Sequence, residues 1–372
     1  MEDIRVGIIG TGFSATFHLE ALRRLNYVKV IAIAGTSLVK ARQCADQYGI
    51  PKAYGDAMEL IRDPEVEVIH NCTSNEVHFK YNKEVLLAGK HLLSEKPLAM
   101  RSSETAELAD LANRSPGISG VCFIYRHFPM VTQARQMLAN GEYGKVHLMC
   151  GGYMQDWLLH KTDYNWRLHP DKSGVTRAIA DIGSHWCDLT QYILCRKITE
   201  VFADLQIVHP VRYGPDQAPI TVSTEDCGSV LVHFEDGIKG VFTVSQVSAG
   251  SKNKLTFDLS AEHGSLRWDQ ESPNQLWVGR RDVPNFHMDR DPLILGADAL
   301  SYIHYPGGHQ EGWPDGVKNL FLSFYNRIQD RKQGEEKAQY GFATISEGHG
   351  IMKIIDAIVE SHRTRSWVTV SE

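Results

Sequence analysis

Several things are missing from this chain, and each absence narrows what it can be. No apolar run approaches the roughly 18 residues of a membrane-spanning helix, so no membrane span is expected. No cluster of Lys and Arg with interleaved aromatics could track a phosphate backbone. The 39 basic side chains are outnumbered by 45 acidic ones, so nucleic acid is not an expected partner. The seven cysteines are odd in number and never stand in a Cys-x-x-Cys pair, and no Cys/His cluster has zinc spacing. Neither a disulfide framework nor a metal is expected. A strand-like run begins at Ile4 with no signal peptide before it, which makes a reducing cytoplasm the expected home. Internal repeats, low-complexity tracts and a Pro/Gly/Ser-rich linker are also absent.

What is present is enough material for two cores, since 372 residues exceed the usual domain size of about 100 to 200. Up to about residue 124, short β-branched apolar runs (4–9, 28–34, 66–72, 91–94 and 118–124) alternate with helical segments that include 75–89 and 102–113. That rhythm predicts an α/β domain with a doubly wound parallel sheet. Ala15, Leu19, Leu22 and Leu25 recur at helical spacing and supply one face to pack on it. From residue 125 the texture changes to longer alternating runs at 201–208, 229–234, 240–247 and 255–260, with a turn signal at Asp236-Gly237. Helical stretches fall at 181–194, 316–329 and 344–361. The second half, 125–372, therefore reads as an α+β domain with a large, mostly antiparallel sheet.

Gly10-Thr11-Gly12-Phe13-Ser14-Ala15 follows the first strand directly and opens the first helix. In that setting Gly10 makes the tight turn, Gly12 lets backbone approach a pyrophosphate, and the helix N-terminus offers N–H groups to the anion. About twenty residues on, where an acid usually holds the ribose 2′-hydroxyl of NAD, the chain has Thr36 and Ser37, with Lys40 and Arg42 nearby. This shifts the expected cofactor towards NADP over NAD. The alternative is that Thr36 and Ser37 form only a turn and NAD binds without an acidic partner.

Glu95-Lys96-Pro97 ends the run 91–94, at the carboxyl edge of a parallel sheet where ligands collect. The proline limits Lys96 to extended geometry or follows a cis bond. A solvated Glu–Lys pair is the plain alternative. Asp181 and His185 are four apart, so on one helix they share a face, where a carboxylate can tune an imidazole that removes a hydroxyl proton. Two other readings stay open: a helix N-cap aspartate beside a core histidine, and a metal pair completed by a residue such as His309.

With these residues in view the chain resembles the glucose–fructose oxidoreductase, inositol dehydrogenase and rhizopine-catabolism (Gfo/Idh/MocA) family. The resemblance runs from Gly10-Thr11-Gly12 and His18, through Thr73-Ser74-Asn75 and His78, Glu95-Lys96-Pro97, Tyr125-Arg126 and Asp181-x-Gly183, to the closing helix before Val368. It implies an N-terminal Rossmann domain, a C-terminal α/β domain whose open sheet forms oligomer contacts in a homodimer or homotetramer, and an active site between the two. It also implies that Lys96 binds the reacting hydroxyl and cofactor, that His185 is the general acid/base, and that Asp181 supports the proton path. Thr73, Ser74, Asn75, His78 and Glu95 then border the cofactor, with Arg126 at the nicotinamide end. More narrowly, Gln155, Trp166-Arg167 and His309 lie in segments similar to the levoglucosan and pyranoside dehydrogenase branch, which makes them candidate sugar contacts. The expected function is oxidation of a secondary alcohol of a sugar, glycoside or cyclitol. A glycosidase that retains its NAD and a non-catalytic dinucleotide sensor are the alternatives.

Overall fold

The computed structural model describes residues 2–335, 337 and 340–371. The chain divides into two compact units, one made of 1–127 with 313–352 and the other of 128–312 with 353–372.

In the first unit, strands β1 (Ile4–Ile9), β2 (Val28–Ala34), β3 (Lys52–Tyr54), β4 (Val68–Asn71), β5 (His91–Ser94) and β6 (Ser119–Val121) run parallel in the order β6-β5-β4-β1-β2-β3. Ala343–Thr344 adds an antiparallel strand beside β6. Helices α1 (Phe13–Arg23), α2 (Leu38–Tyr48), α3 (Ala57–Arg62), α4 (Asn75–Leu87) and α5 (Ser102–Arg114) make the crossovers. Alternation is absent from the central strands because both faces are covered: the successive residues Val6, Gly7, Ile8 and Ile9 of β1 are all buried. Helix α1 turns Ala15, Leu19 and Leu22 inward, the face that its spacing had marked. The sheet is thus the Rossmann parallel sheet, with its order reversing at β1.

One boundary differs from the reading of the sequence, which kept 125–372 together. The helix Trp313–Gln333 belongs to the first unit. Its stripe of Val317, Leu320, Phe321, Phe324, Tyr325 and Ile328 is buried there, and Phe321 lies edge-on to His18 and His70. The Arg24 guanidinium bonds Asp315 at 2.5 Å. An amphipathic helix records that it has a partner but not which one, so local pattern could not assign it.

The second unit is built on a nine-stranded, mostly antiparallel sheet. Its order is Phe286–Asp289, Gln275–Gly279, Gly264–Asp269, Lys254–Ala261, Val146–Met154, Lys239–Ser245, Cys227–Phe234, Ile198–Gln206 and Val368–Thr369. The pair of Val146–Met154 with Lys239–Ser245 is parallel. Helix Ser184–Leu194 lies on one face of the sheet, where Trp186 stacks on Phe242 at 4.5 Å. The helix expected from Asp181 onwards begins earlier, with a π-helical turn over Ile179–Gly183 leading into Ser184–Leu194. Glu225 caps this start: its Oε1 accepts from the Thr176 hydroxyl and from the backbone N–H groups of Arg177 and Ile179. Among the described residues no helix is long and apolar enough to cross a membrane. All seven cysteines are free thiols.

Candidate active site

Strand register sets out the candidate cofactor residues of the first unit. Ala34, Ile9, Asn71 and Ser94 are mutual partners across β2, β1, β4 and β5, so the segments beginning at Gly35, Gly10, Cys72 and Glu95 leave the sheet along one carboxyl edge. This edge straddles the point where strand order reverses, the usual ligand crevice of such sheets.

Gly10 has φ +118°, and a Cβ there would lie 2.6 Å from the Cys72 carbonyl oxygen. Only glycine fits the turn. Gly12, the N-cap of α1, has no atom within 4 Å of where its Cβ would stand, which leaves open space over the first N–H groups of the helix. A pyrophosphate therefore fits this cradle by both shape and charge. Gly10→Ala should weaken dinucleotide binding about 10- to 100-fold, because the loop must move off the Cys72 backbone. Isothermal titration with NADH and NADPH checks this, and unchanged affinity would separate the cradle from the nucleotide.

The remaining residues expected at the cofactor fall along this edge. Thr11, Phe13 and Ser14 belong to the cradle, and Phe13 is 78% exposed. Thr36 is exposed, and Ser37 is spent as the N-cap of α2, its hydroxyl accepting from the Lys40 N–H. Thr73 donates its hydroxyl to Asn71 Oδ1 at 2.7 Å. Asn71 bonds on to Asn82, which donates to Ser94 and to the Leu98 carbonyl, so the β4 and β5 ends are tied together. Ser74 is the N-cap of α4, with the buried Asn75 its first residue. His78 bridges the Pro97 carbonyl at 2.7 Å and the Thr73 carbonyl at 3.0 Å, which anchors the turn after Lys96 to the loop after β4. Its burial pushes the imidazole down from its ordinary range.

Lys96-Pro97 is a cis peptide. The Lys96 backbone N–H donates to Glu95 Oε2, and Glu95 Oε1 meets His18 Nε2 at 3.1 Å. Burial pushes the Glu95 carboxyl up, but the His18 hydrogen bond and the Lys96 charge outweigh it and hold the group below the usual carboxylate range. Arg126 is paired with Glu347 at 2.7 Å within the same unit.

In the second unit Asp181 sits in the π-helical turn. Its Oδ2 accepts from Gln246 Nε2 at 3.0 Å and its Oδ1 lies 3.4 Å from Arg167 Nε. The Arg167 guanidinium lies over the Trp166 ring, 4.4 Å from the centroid. Gln246 is itself fully buried and receives Arg177 Nη1 at 3.0 Å, so a rigid chain runs from the core to the carboxylate. Arg177 ends in an ion cluster with Asp226 and Arg212, all three side chains fully buried. His185, one turn beyond Asp181, is 7% exposed and has the Tyr153 ring 6.1 Å away. The Tyr153 hydroxyl and Gln155 Nε2 both donate to Asn253 Oδ1, and Gln155 Oε1 accepts from the Trp157 indole. Asp181, Arg167 and Trp166 are thus linked, while His185, one turn along, neighbours Tyr153, which shares Asn253 with Gln155.

The His309 carbonyl accepts from Arg290, and His309 lines a cavity of about 480 Å³ with Glu271, Asn274, Asp289 and Gln310; Glu271 Oε1 in turn accepts from the Asn253 backbone N–H. Sequence reading missed Gln246, Arg177, Asn253 and Tyr153, since nothing local marks a polar residue as buried and partnered. Asp181 is no N-cap either, because the helical turn has begun before it.

Comparison with known proteins agrees with this fold. Residues 4–123 match the oxidoreductase family model described as an NAD-binding Rossmann fold, and residues 131–267 match the GFO/IDH/MocA C-terminal domain. The levoglucosan dehydrogenase of Pseudarthrobacter phenanthrenivorans is 26% identical, across 100% of this chain and 99% of its own. The myo-inositol 2-dehydrogenase of Thermotoga maritima is 26% identical over 72% of this chain and 79% of its own. Among solved structures, an oxidoreductase domain protein from Kribbella flavida superposes with a TM-score of 0.91 at 27% identity, with full coverage of both chains. A levoglucosan dehydrogenase complex with NADH and L-sorbose shares the fold with a TM-score of 0.91 at 24% identity, again with both chains fully covered. An NAD-binding Rossmann unit, a C-terminal domain matched in its own right and relatives aligned along the whole length together make this chain an oxidoreductase of the Gfo/Idh/MocA family.

Proposed function

We propose that the chain is a dehydrogenase that oxidises a secondary alcohol on the ring of a sugar, glycoside or cyclitol. The observation that carries this reading is the in-register row of strand ends, from which the Gly10 cradle and Glu95-Lys96 leave one edge together. A bound dinucleotide supplies a hydride acceptor there. Lys96 donates a hydrogen bond to the alcohol oxygen, and His185 takes the hydroxyl proton as the C–H hydrogen departs with its electron pair. Asp181, held by Gln246 and Arg167, orients His185. Polar Gln155, Asn253 and Arg167 beside the rings of Tyr153, Trp157 and Trp166 suit a substrate with hydroxyls at its rim and C–H faces to stack. The names of the relatives, levoglucosan dehydrogenase and myo-inositol 2-dehydrogenase, point to the same class of ring alcohols.

For the cofactor, we infer a preference for NADP. No acid stands between Gly35 and Ala41, while Thr36, Lys40 and Arg42 are exposed beside the end of β2. A 2′-phosphate gains from those cations, whereas the free 2′-hydroxyl of NAD finds no carboxylate there to accept its hydrogen bond. NADPH should bind about 3- to 10-fold more tightly than NADH, and Lys40→Ala should erase the difference. Tighter NADH binding would reverse the assignment.

The function is tested by incubating the protein and each oxidised cofactor with a panel of monosaccharides, anhydrosugars, glycosides and inositols while following the near-ultraviolet absorbance of reduced nicotinamide. Sustained reduction with at least one ring alcohol is expected. Glycoside cleavage with no net reduction, or dinucleotide binding without turnover on any substrate, would replace this reading.

A further inference from the structure

Behind Glu95 a row of buried polar groups crosses the first unit. Glu95 Oε1 meets His18 Nε2 at 3.1 Å, His18 Nδ1 meets His70 Nδ1 at 2.8 Å, and His70 Nε2 meets the Tyr325 hydroxyl at 2.8 Å. Tyr325, His70 and His18 are fully buried, and Glu95 is 7% exposed. The four come from the end of β5, from α1, from β4 and from the helix Trp313–Gln333.

We propose that Tyr325, His70 and His18 form a hydrogen-bond chain of fixed direction that holds the Glu95 carboxylate and, through it, the backbone of Lys96, making them positioning residues for that lysine. The proposal rests on the role given to Lys96 above. The direction follows from counting donors. Tyr325 has His70 Nε2 as its hydrogen-bond partner among the described residues, so its buried O–H must point there or go unmade. His70 then accepts at Nε2 and, as a neutral imidazole, donates from Nδ1. His18 accepts that proton at Nδ1 and donates from Nε2 to Glu95. Every link holds one proton, and all three point towards the carboxylate. Glu95 is left with Oε2 for the Lys96 N–H, at 3.2 Å. Because a neutral chain already satisfies each atom, no imidazolium is needed in a pocket walled by Phe321.

The competing occupant is a cation. His18, Glu95 and Cys122 each place one ligand-type atom within 4.8 Å of the others. The direct 3.1 Å contact between His18 and Glu95 favours the hydrogen-bonded form, since an ion would stand between them.

Two measurements decide the matter. Nitrogen NMR of the protein with isotope-labelled histidine should show His18 as the Nε2–H tautomer and His70 as the Nδ1–H tautomer, both neutral, with no substrate required. The second measurement compares H18L with H18Q. H18L should lower kcat about 10- to 100-fold while the NADPH Kd stays within about 3-fold, because a misplaced lysine harms the reaction more than cofactor binding. In H18Q the amide N–H can face Glu95 and its carbonyl can accept from His70, so most of the lost rate should return. Should H18L fail to fold, Y325F, which deletes one hydroxyl, should disturb the His70 tautomer and lower kcat about 3- to 10-fold. Reversed or charged tautomers, an unchanged kcat in H18L, a rate in H18Q as low as in H18L, or one bound metal per chain that disappears in C122S would each overturn the chain. If the wild-type protein turns over no alcohol, the dehydrogenase reading fails on its own while the tautomers still report on the chain.

Discussion

His185→Ala should lower kcat about 10²- to 10⁴-fold, the range supplied by a positioned acid/base group, and leave dinucleotide affinity within about 3-fold. The separation follows from the division of the chain. Gly10, Gly12, Thr73 and Glu95 all belong to the first unit, and His185 belongs to the second. Losing the imidazole therefore removes a proton acceptor from the chemistry and nothing from the cradle. Pre-steady-state kinetics makes the test sharper, since a substitution that impairs proton removal depresses the first turnover as well as the steady rate. The variant should also recover rate as pH rises and hydroxide replaces the missing base. Asp181→Asn should fall between this variant and wild type, because Gln246 and Arg167 keep the side chain in place while its charge is gone. A His185→Ala protein with unaltered kcat on a proven substrate would remove His185 from the mechanism and shift attention to Lys96.

Asp226→Ala should destabilise the second unit by about 3–5 kcal/mol, the cost typical of breaking a buried ion pair by taking one partner away. Asp226 Oδ1 binds both Arg177 and Arg212, and its Oδ2 accepts from the Val208 and His209 N–H groups at 2.8 and 3.0 Å. Without it two guanidinium groups remain in the core with uncharged partners: Arg177 keeps Gln246 and the Thr224 hydroxyl, and Arg212 keeps the His160 and Leu158 carbonyls. Urea unfolding followed by tryptophan fluorescence measures the loss, and a change below about 1 kcal/mol would mean that these partners suffice. The pH dependence has a definite sign. Burial pushes the Asp226 carboxyl up, but the His209 N–H and the two arginines more than offset this and leave it below its ordinary range. Its contribution is therefore complete at neutral pH and is lost only as pH falls through that lowered value. The alanine variant should show a flatter stability curve in acid than wild type. Through Gln246 the same cluster steadies Asp181, so variants that survive folding should also lose kcat.

The first sheet was legible because its strands are continuous β-branched runs and because the glycine turn has a spacing that few other structures need. The relative placement of Asp181 and His185 was legible for a related reason: one helical turn fixes it whatever surrounds them. The strand Val146–Met154 was less visible. Its centre is Gly151-Gly152, poor strand formers, yet a Cβ at either would lie 2.2 or 2.3 Å from the Thr256 or Thr243 carbonyl oxygen of the neighbouring strands. Close approach of backbones chose those residues, and that pressure leaves no periodicity. The Asp226 cluster was equally hidden, its members lying 49 and 14 residues apart in sequence. His309 was marked by a motif-like Gly-Gly-His-Gln alone, and the cavity it lines with Glu271, Asn274 and Arg290 left no local trace in the sequence. Choice between NAD and NADP stayed open because it depends on whether exposed side chains reach a phosphate, which neither spacing nor burial dictates.

The return of Trp313–Gln333 to the first unit has a consequence for how the molecule is made. Residues 1–127 leave the ribosome without Phe321 and Tyr325, so His18 and His70 must wait, uncovered on that side, through the synthesis of the next 185 residues, 128–312. The nucleotide-binding half begins first and is completed late, and a fragment cut after residue 127 would carry the glycine cradle without the aromatic wall behind it. The first unit is thus closed by a segment made only after most of the second has been synthesised.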